Sequence, residues 1–311
     1  MKRLIVVVLL ALFACHSAFA GQTASGKKPA KNSSSKPAPV KPVQAVEPKA
    51  PFEAYAVADA ADGRLLEGLN LNQRWPQASL TKLMLALVVV DQLERGDLRL
   101  DSRVVVSKKA EGMGGSQVFL KAGEAFTLDE LMQAALVESA NDAAYAVAEH
   151  TAGSSDEFVK RMNRKAQALG MLDTEFHCVH GLPPAQGGAD NFTTCNDMIR
   201  LARAALDHPQ IIAWTSIEQT TFRNGTLLIH NKNKLVGRLP GVDGLKTGFT
   251  RRAGFNIVAT GKNGDQRLIV VVLGSPESRI RDGFVLEKFR EYLLVQPSES
   301  ADPAGSIGTG G

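Results

Sequence analysis

The order of the predicted secondary structure constrains the fold of this chain more than any other feature. Residues 54–70 have the pattern of a hairpin that turns at Asp62 and Gly63, a favourable turn pair between two moderately apolar strands. Three more strands are predicted near the other end of the chain, at 243–248, 255–261 and 267–274. A turn at 262–265 joins the last two. Strands at both ends and helices between them predict an α+β fold, in which an antiparallel sheet is flanked by helices and carries an all-helical insertion.

Helices are predicted between the two groups of strands. One begins at Ser79 and ends near Gly96, and another covers 127–137, where Thr127 and Glu130 form a capping box. A last amphipathic helix follows the strands, with four apolar positions on the side that would cover the sheet: Ile280, Phe284, Phe289 and Leu293. The cleft of such a fold is expected between the sheet and the helical insertion.

The N-terminal segment, residues 1–20, is predicted to be a signal peptide. A charged start precedes an apolar stretch that is too short to span a membrane, and residues 18–20 fit an A-x-A cleavage site that would make Gly21 the first mature residue. A lipoprotein site at Cys15 is the alternative, although the bulky Phe13 fits such a site poorly. Either interpretation predicts export, to the periplasm or the extracytoplasmic cell envelope.

Two further segments have too few apolar residues to build a core. Residues 21–50 hold six lysines, five prolines and a single acidic residue, and predict a disordered basic linker, while residues 296–311 predict a disordered tail. The linker carries most of the positive charge of a chain whose net charge is +4. It is expected to associate at most weakly with a membrane surface or anionic wall polymers. The catalytic domain is expected at 51–295, where no basic stripe alternates with aromatic residues, so nucleic acid is not an expected partner.

Three short motifs carry the chemistry: Ser79-Leu80-Thr81-Lys82, Ser139-Ala140-Asn141 and Lys246-Thr247-Gly248. The first places a hydroxyl and an amine one helical turn apart on one face, so that Lys82 can take the proton of Ser79. The second supplies a hydroxyl and a carboxamide, and the third supplies a cation, a hydroxyl and a strand edge without a Cβ atom. Each motif alone occurs often by chance. Together and in this order they indicate a serine acyl-transfer site.

The cysteines and histidines do not extend this site. Cys178 and Cys195 remain after signal removal, an even count in an exported chain, and two alternatives are open: a disulfide between them or two separate thiols. His177 and His180 lie close together in the sequence but lack a third ligand, which indicates loop histidines and no metal site. No cofactor is expected.

The motifs and their surroundings resemble the low-molecular-mass penicillin-binding proteins, which are serine D-Ala-D-Ala carboxypeptidases. The resemblance covers about residues 52–294, and beyond the three motifs it includes 115–117, 180–182, 231–235 and 243–256. It implies the penicillin-binding protein/β-lactamase-like transpeptidase fold, peptidoglycan stem peptides as substrates and β-lactam antibiotics as ligands. After Leu294 the sequence continues into the polar tail, where the family pattern has a β-rich domain and an amphipathic anchor.

The resemblance also implies a role for each motif residue. Ser79 is implied to be the nucleophile and Lys82 its base, which requires a neutral amine and therefore a lowered pKa. Ser139 is implied to pass the proton to the leaving amine. The backbone N–H groups of Ser79 and Phe249 are implied to form the oxyanion hole. The implied substrate-binding residues are Asn141, Lys246, Thr247, Gly248, Phe249 and Arg281.

A D,D-peptidase, acting as a carboxypeptidase or as an endopeptidase, is the function that these residues predict. A serine β-lactamase shares the site, but class A enzymes use a glutamate in an E-x-x-L-N segment, and residues 175–179 lack that pattern. The third hypothesis is a non-catalytic wall-binding protein that keeps the cleft. The intact Ser79, Lys82 and Lys246 argue against it.

Overall fold

The computed structural model describes residues 50–184 and 188–294. The predicted signal peptide, the basic linker up to residue 49 and the C-terminal tail lie outside the described residues. The strands, in chain order, are β1 (Ala54–Asp59), β2 (Leu65–Leu69), β3 (Trp75–Pro76), β4 (Arg103–Val105), β5 (Ala125–Thr127), β6 (Phe192–Thr193), β7 (Gln219–Phe222), β8 (Leu227–His230), β9 (Val242–Thr250), β10 (Gly254–Asn263) and β11 (Gln266–Ser275). The α-helices are α1 (Thr81–Glu94), α2 (Lys108–Glu111), α3 (Leu128–Gln133), α4 (Asn141–Ala152), α5 (Ser155–Ala168), α6 (Cys195–Leu206), α7 (Pro209–Thr215) and α8 (Ser278–Phe289).

A five-stranded antiparallel sheet of order β2-β1-β11-β10-β9 joins the two ends of the described chain. The first strand lies beside the last, with Ala54 opposite Leu273. Strand β9 is an edge strand, so one side of its backbone faces away from the sheet. The helices from α1 to α7 lie in the sequence between β2 and β9. The predicted α+β fold with an antiparallel sheet and a helical insertion is confirmed.

The sheet separates two hydrophobic cores because successive side chains on a strand point to opposite faces. On β11, Ile269 and Val271 belong to the core formed with the helical insertion, while Val270 and Val272 belong to a second core. Helix α8 closes this second core with Val285 and Phe289. Both faces of the central strands are therefore buried, which explains their nearly continuous apolar sequence.

The last helix covers the sheet as predicted, except at Ile280. Its buried positions are Arg281, Val285, Lys288 and Phe289. Arg281, Val285 and Phe289 are spaced four residues apart and therefore lie on one helical face. Ile280 lies outside this stripe and is 36% exposed. The prediction placed Ile280 on the buried face, and it was wrong because the guanidinium of Arg281 takes the buried place at the start of α8.

The helices of the insertion place the second motif at a turn. Thr127 and Glu130 form the predicted capping box, with the N–H of Thr127 donating to Glu130 Oε2 at 2.8 Å. Helix α3 then continues into one π-helical turn, Ala134–Glu138, which ends at Ser139. Helix α4 begins at Asn141, so Ser139 lies at a turn between two helices. Among the described residues, no helix combines the length and apolar character needed to cross a membrane.

Candidate active site

The first motif lies at the start of α1. Ser79 is the middle residue of a single 3₁₀ turn, Ala78–Leu80, directly before this helix, and it remains partly exposed. Lys82 lies in the first turn of α1, and its Nζ is 3.1 Å from Ser79 Oγ. The predicted contact between hydroxyl and amine is therefore present.

Lys82 is a completely buried amine with three oxygen partners. Its Nζ donates to Asn141 Oδ1 at 2.7 Å and to the carbonyl of His180 at 2.9 Å, in addition to Ser79 Oγ. Burial lowers the pKa of Lys82 to about 7, because a charged ammonium loses its hydration in this position. An amine with this pKa is neutral in a large fraction of molecules near pH 7. It therefore meets the requirement for a general base.

Asn191 fixes the loop that supplies the carbonyl of His180. Its Oδ1 accepts the backbone N–H groups of His177 at 2.7 Å and Cys178 at 3.1 Å. Its Nδ2 donates to the carbonyl of Cys178 and to Thr81 Oγ1, both at 2.9 Å. The buried amide of Asn191 thus ties the loop to the first turn of α1, next to Lys82.

The second motif approaches Lys82 from the helical insertion. Ser139 is nearly buried and has a left-handed backbone, with φ of 64°, at the end of the π turn. The carboxamide of Asn141 is oriented by two bonds, because its oxygen accepts from Lys82 while its Nδ2 donates to the carbonyl of Gly114 at 2.7 Å. The backbone N–H of Asn141 donates to the carbonyl of Ser116 at 2.7 Å. In this position Asn141 orients the lysine, a role that the sequence did not predict.

Gly248 permits β9 to lie against the turn that carries Ser79. A Cβ atom on Gly248 would be 2.7 Å from the carbonyl oxygen of Gln77 and 3.1 Å from the backbone nitrogen of Ser79. Real Cβ atoms do not approach a carbonyl oxygen this closely. The predicted strand edge without a Cβ atom is thus a packing requirement at this contact.

A buried lysine on β9 and a buried arginine on α8 lie at one side of the cleft. Lys246 is 1% exposed, and its Nζ donates to the carbonyl of Thr247 at 3.0 Å. Burial lowers the pKa of Lys246 well below its ordinary value, and the charges of Lys82, Lys232 and Arg281 lower it further. The guanidinium of Arg281, which lines the cavity, makes this side of the cleft attractive to a carboxylate.

Arg281 is held in place by two partners. Its Nε and Nη2 donate to Asp282 Oδ1 at 2.8 and 2.7 Å, and its Nη1 donates to the carbonyl of Asn256 at 3.2 Å. It is only 4% exposed, so it is not an ordinary surface arginine. This burial explains why the predicted residue belongs to the cleft although its neighbour Arg279 is exposed.

A cavity of about 240 Å³ in front of Ser79 brings the predicted residues together. Its lining residues are Ser79, Ser116, Ser139, Lys232, Thr247, Gly248, Phe249, Phe255, Ser278 and Arg281. Lys82 and Asn141 are joined to each other by a hydrogen bond behind the serine, and Lys246 is buried within β9. The exposed ring of Phe249 stacks on Phe255, with ring centroids 4.3 Å apart.

Six residues of the site were not predicted as site residues, among them Phe255 and Ser278, which line the cavity. Ser116 and Lys232 line the cavity, and both belong to segments that contributed to the family resemblance, so their positions were available in the sequence. The carbonyl of His180 and the amide of Asn191 carried no comparable signal, because a backbone acceptor and a buried loop amide depend on how the chain folds.

The two cysteines are free thiols in the structure, the second of the two alternatives that the sequence left open. Cys195 is buried, and burial raises the pKa of its thiol. Cys178 is half-buried, and its Sγ accepts the backbone N–H of Gly181 at 3.2 Å. Within residues 50–184 and 188–294, the structure brings no three histidine, cysteine or acidic side chains together as a metal site would require.

Comparison with known proteins identifies the relatives of this chain. The family model for D-alanyl-D-alanine carboxypeptidase matches residues 41–277. The chain is 35% identical to D-alanyl-D-alanine carboxypeptidase DacF of Bacillus subtilis over 75% of its own length and 60% of the relative's. It is 37% identical to DacC of Escherichia coli over 82% of its own length and 65% of the relative's. The chain thus spans less than two thirds of the length of these two relatives.

Solved structures agree with this assignment. Penicillin-binding protein D2 from Listeria monocytogenes, in an ampicillin-bound form, matches with a TM-score of 0.70 and 29% identity over 78% of this chain and 97% of that one. Penicillin-binding protein 5 from Haemophilus influenzae matches with a TM-score of 0.73 and 31% identity over 79% of this chain and 71% of that one. These neighbours confirm the predicted penicillin-binding protein fold. The chain belongs to the D-alanyl-D-alanine carboxypeptidase family.

Proposed function

We propose that the protein is a serine D,D-peptidase that acts on D-Ala-D-Ala stem peptides of peptidoglycan and remodels the cell wall. The observation that carries this proposal is the contact of 3.1 Å between Ser79 Oγ and the buried amine of Lys82. A serine hydroxyl is a weak nucleophile until a base takes its proton. Because burial lowers the pKa of Lys82 to about 7, the base is available at the place where the nucleophile needs it.

In the acylation step, Lys82 takes the proton of Ser79 while Oγ attacks the carbonyl carbon of the penultimate D-Ala. The negative charge that develops on the carbonyl oxygen is stabilised by the backbone N–H groups of Ser79 and Phe249. A single donor of this kind contributes about 3 kcal/mol in comparable hydrolases. As the amide bond breaks, Ser139 gives its hydroxyl proton to the leaving amine and receives the proton that Lys82 had taken from Ser79, so Lys82 is neutral again. The products of this step are an ester on Ser79 and a free amine.

The substrate carboxylate is held at the cationic side of the cleft. Thr247 and Arg281 line the cavity there and can bind the carboxylate through a hydroxyl and a guanidinium, while Lys246 lies buried in the same strand as Thr247. In the second step, a water molecule loses its proton to Lys82 and attacks the ester, which releases the peptide and restores the serine. β-Lactams resemble the acylated D-Ala-D-Ala amide, so they also acylate Ser79. The reaction then stops at the ester, because the site lacks the deacylating glutamate of class A β-lactamases. The ampicillin-bound relative supports this ligand class.

The β-lactamase alternative would need a glutamate that activates the deacylating water. Glu175 is the acidic residue of the segment in question, and its half-exposed side chain pairs with Arg74, with 3.4 Å between Oε2 and Nη2. It is not among the residues that line the cavity. The structure therefore supplies no support for fast deacylation, and the peptidase is the better proposal. A non-catalytic wall-binding protein does not require a serine hydroxyl beside a buried amine, so the contact between Ser79 and Lys82 favours the peptidase.

The protein is further proposed to act in the periplasm or another extracytoplasmic part of the envelope. The basis is the predicted signal peptide at 1–20 together with a substrate that lies outside the cytoplasm.

Intact-mass analysis after incubation with penicillin tests the proposal. The wild-type protein is expected to gain one covalent adduct, located on Ser79, and the Ser79→Ala variant is expected to gain none. The variant Ser216→Ala is the control, because this exposed serine lies at the end of α7, outside the cavity lining. An adduct on another residue, or no adduct on the folded wild type, would refute the role of Ser79. Mass spectrometry of digested muropeptides then establishes the substrate.

A further inference from the structure

A buried carboxylate follows Asn141 and has no part in the proposed reaction. Asp142 is 1% exposed and lies in the first turn of α4. Among the ion pairs of the described residues, none includes Asp142. Arg223 acts on it through its charge alone, because the guanidinium pairs with Glu124, with 2.8 Å between Nη2 and Oε2. Since acidic side chains are almost never fully buried without a partner, this carboxylate must be compensated in another way.

Three backbone N–H groups compensate the charge of Asp142. The N–H of Leu120 donates to Oδ2 at 3.0 Å, and the N–H of Ala143 donates to Oδ1 at 2.9 Å. The N–H of Val118 lies between the two oxygens, 3.3 Å from Oδ1 and 3.2 Å from Oδ2. Phe119, between two of these donors, has a left-handed backbone with φ of 58°. A left-handed residue can turn the N–H groups on its two sides toward one anion, and here that anion is Asp142.

This arrangement differs from that of an ordinary acidic residue at the start of a helix. Such a residue interacts favourably with the N–H groups of its own first turn and usually stays exposed. For Asp142, that role would need only the bond from Ala143. Its other two donors come from a segment 24 and 22 residues earlier in the chain. Asp142 therefore binds a distant segment to the start of α4.

Asn141 and Asp142 bind the same segment through opposite groups. Asn141 donates to it, through Nδ2 to the carbonyl of Gly114 and through its backbone N–H to the carbonyl of Ser116, both at 2.7 Å. Asp142 accepts from it. The remaining polar atom of the Asn141 carboxamide, Oδ1, accepts from Lys82 Nζ at 2.7 Å. The position of this acceptor for Lys82 thus depends on a segment that Asp142 holds in place.

Asp142 is also the negative charge that faces Lys82. The other titratable groups around this amine are Cys178 and His180 from the neighbouring loop and Lys246 from β9. Burial lowers the pKa of His180 to about 4, so its imidazole is neutral above pH 5. Thiols are largely uncharged at pH 7, and Lys246 can only contribute positive charge. Burial lowers the pKa of Lys82, and Asp142 acts against this lowering.

We infer that Asp142 is a further positioning residue of this active site: its bonds to the neighbouring segment keep Asn141 in place, and its negative charge sets the pH above which Ser79 becomes reactive. This inference rests on the proposed function of the site. Asp142 touches neither Ser79 nor the cavity and acts through Asn141 and Lys82. Because a negative charge favours the protonated amine, it raises the pH at which Lys82 loses its proton. The base is therefore stronger than burial alone would leave it.

Two variants separate the charge of Asp142 from its hydrogen bonds. Asp142→Asn removes the charge and one acceptor oxygen, whereas Asp142→Glu keeps the charge but displaces the oxygens with a longer side chain. Rates of penicillin acylation between pH 5 and 9 give a midpoint and a plateau for each protein. In Asp142→Asn we expect the midpoint to fall by about one pH unit, so that the ratio of the rate at pH 5.5 to the rate at pH 9 rises about five- to tenfold.

The plateau reports the hydrogen bonds. It is expected to fall about tenfold or more in both variants, because the segment and Asn141 shift relative to Lys82. The midpoint of Asp142→Glu is expected to stay at the wild-type value, because the charge is kept. A purely structural role would lower the plateau and leave the midpoint of Asp142→Asn unchanged.

The matched control is Asp197→Asn. Asp197 is also a buried carboxylate in the first turn of a helix, α6, and it accepts the backbone N–H of Asp173 at 3.0 Å. Its charge is not among those that act on Lys82. This variant is expected to unfold at a lower temperature than the wild type, as the Asp142 variants do, but to keep the wild-type midpoint.

An unchanged midpoint in folded Asp142→Asn, or an equal shift in Asp142→Glu or in the control, would overturn the inference. Failure of both Asp142 variants to fold at any temperature tested would assign this carboxylate to the stability of the fold alone, and it would overturn the inference as well. In each of these cases acylation of the wild type still supports the peptidase. A wild-type protein that penicillin does not acylate would instead overturn the proposed function itself.

Discussion

At the scale of single residues, the proposed mechanism requires a neutral Lys82 before Ser79 can react. Burial lowers the pKa of this amine from 10.5 to about 7. The neutral fraction of Lys82 therefore grows as pH rises, and the rate of penicillin acylation is expected to rise about tenfold per pH unit below pH 7 and to level off above it. Stopped-flow acylation rates between pH 5 and 9 measure this profile. A rate that is independent of pH across this range would contradict the role of Lys82 as base.

The variant Lys82→Met removes the proposed base while the protein is expected to keep its fold. A methionine fills a similar volume without a charge, so acylation above pH 7 is expected to fall by a factor of about 10²–10⁴ while the protein still folds. The sign of the stability effect follows from the same pKa. Between pH 7 and 10.5 the folded state binds fewer protons than the unfolded state, so the cost of burying the ammonium is largest below pH 7 and disappears as pH rises through that window. We expect Lys82→Met to remove this pH dependence of the free energy of unfolding.

At the scale of secondary structure, the contact between β9 and the turn of Ser79 depends on Gly248. In Gly248→Ala the new Cβ atom would meet the carbonyl oxygen of Gln77 at 2.7 Å, so strand and turn must separate. Displacements of about 1 Å reduce catalysis about 100-fold, and we expect a loss of this size in penicillin acylation. Gly283→Ala is the matched control, because Gly283 lies in α8 with no atom near its Cβ position. There alanine is expected to stabilise the protein by roughly 0.5–1 kcal/mol.

Elements of the fold were predictable from the sequence where the signal was local. The capping box at Thr127, the turn at Gly63 and the motif spacing of Ser79 and Lys82 all depend on residues a few positions apart. Contacts that depend on distant segments were not predictable. Asn191 reaches Thr81 across the sequence, and no pattern around position 191 indicates this partner. For the same reason Ile280 was assigned to the buried face, since only the packed structure places Arg281 there.

At the scale of the whole molecule, the predicted N-terminal region decides how the protein is held in the envelope. We expect the native protein to begin at Gly21 and to be released from envelope fractions by about 1 M salt without detergent, because a lysine-rich linker offers only screened attraction. N-terminal mass analysis of the native protein measures this. A diacylglyceryl group on Cys15 is the contrary result, and it would assign the protein to the lipoproteins.

The pairing of β1 with β11 also has a consequence for the time at which the proposed active site is completed. Ala54 can pair with Leu273 only after nearly the whole domain has been synthesised. Until then the sheet that places β9 against the turn of Ser79 is incomplete. Contacts between distant parts of a chain form slowly, since loop closure precedes any gain from pairing. For a chain that is exported, as the predicted signal peptide indicates, we therefore expect the proposed nucleophile, Ser79, to reach its final environment only after the last strands have crossed the membrane.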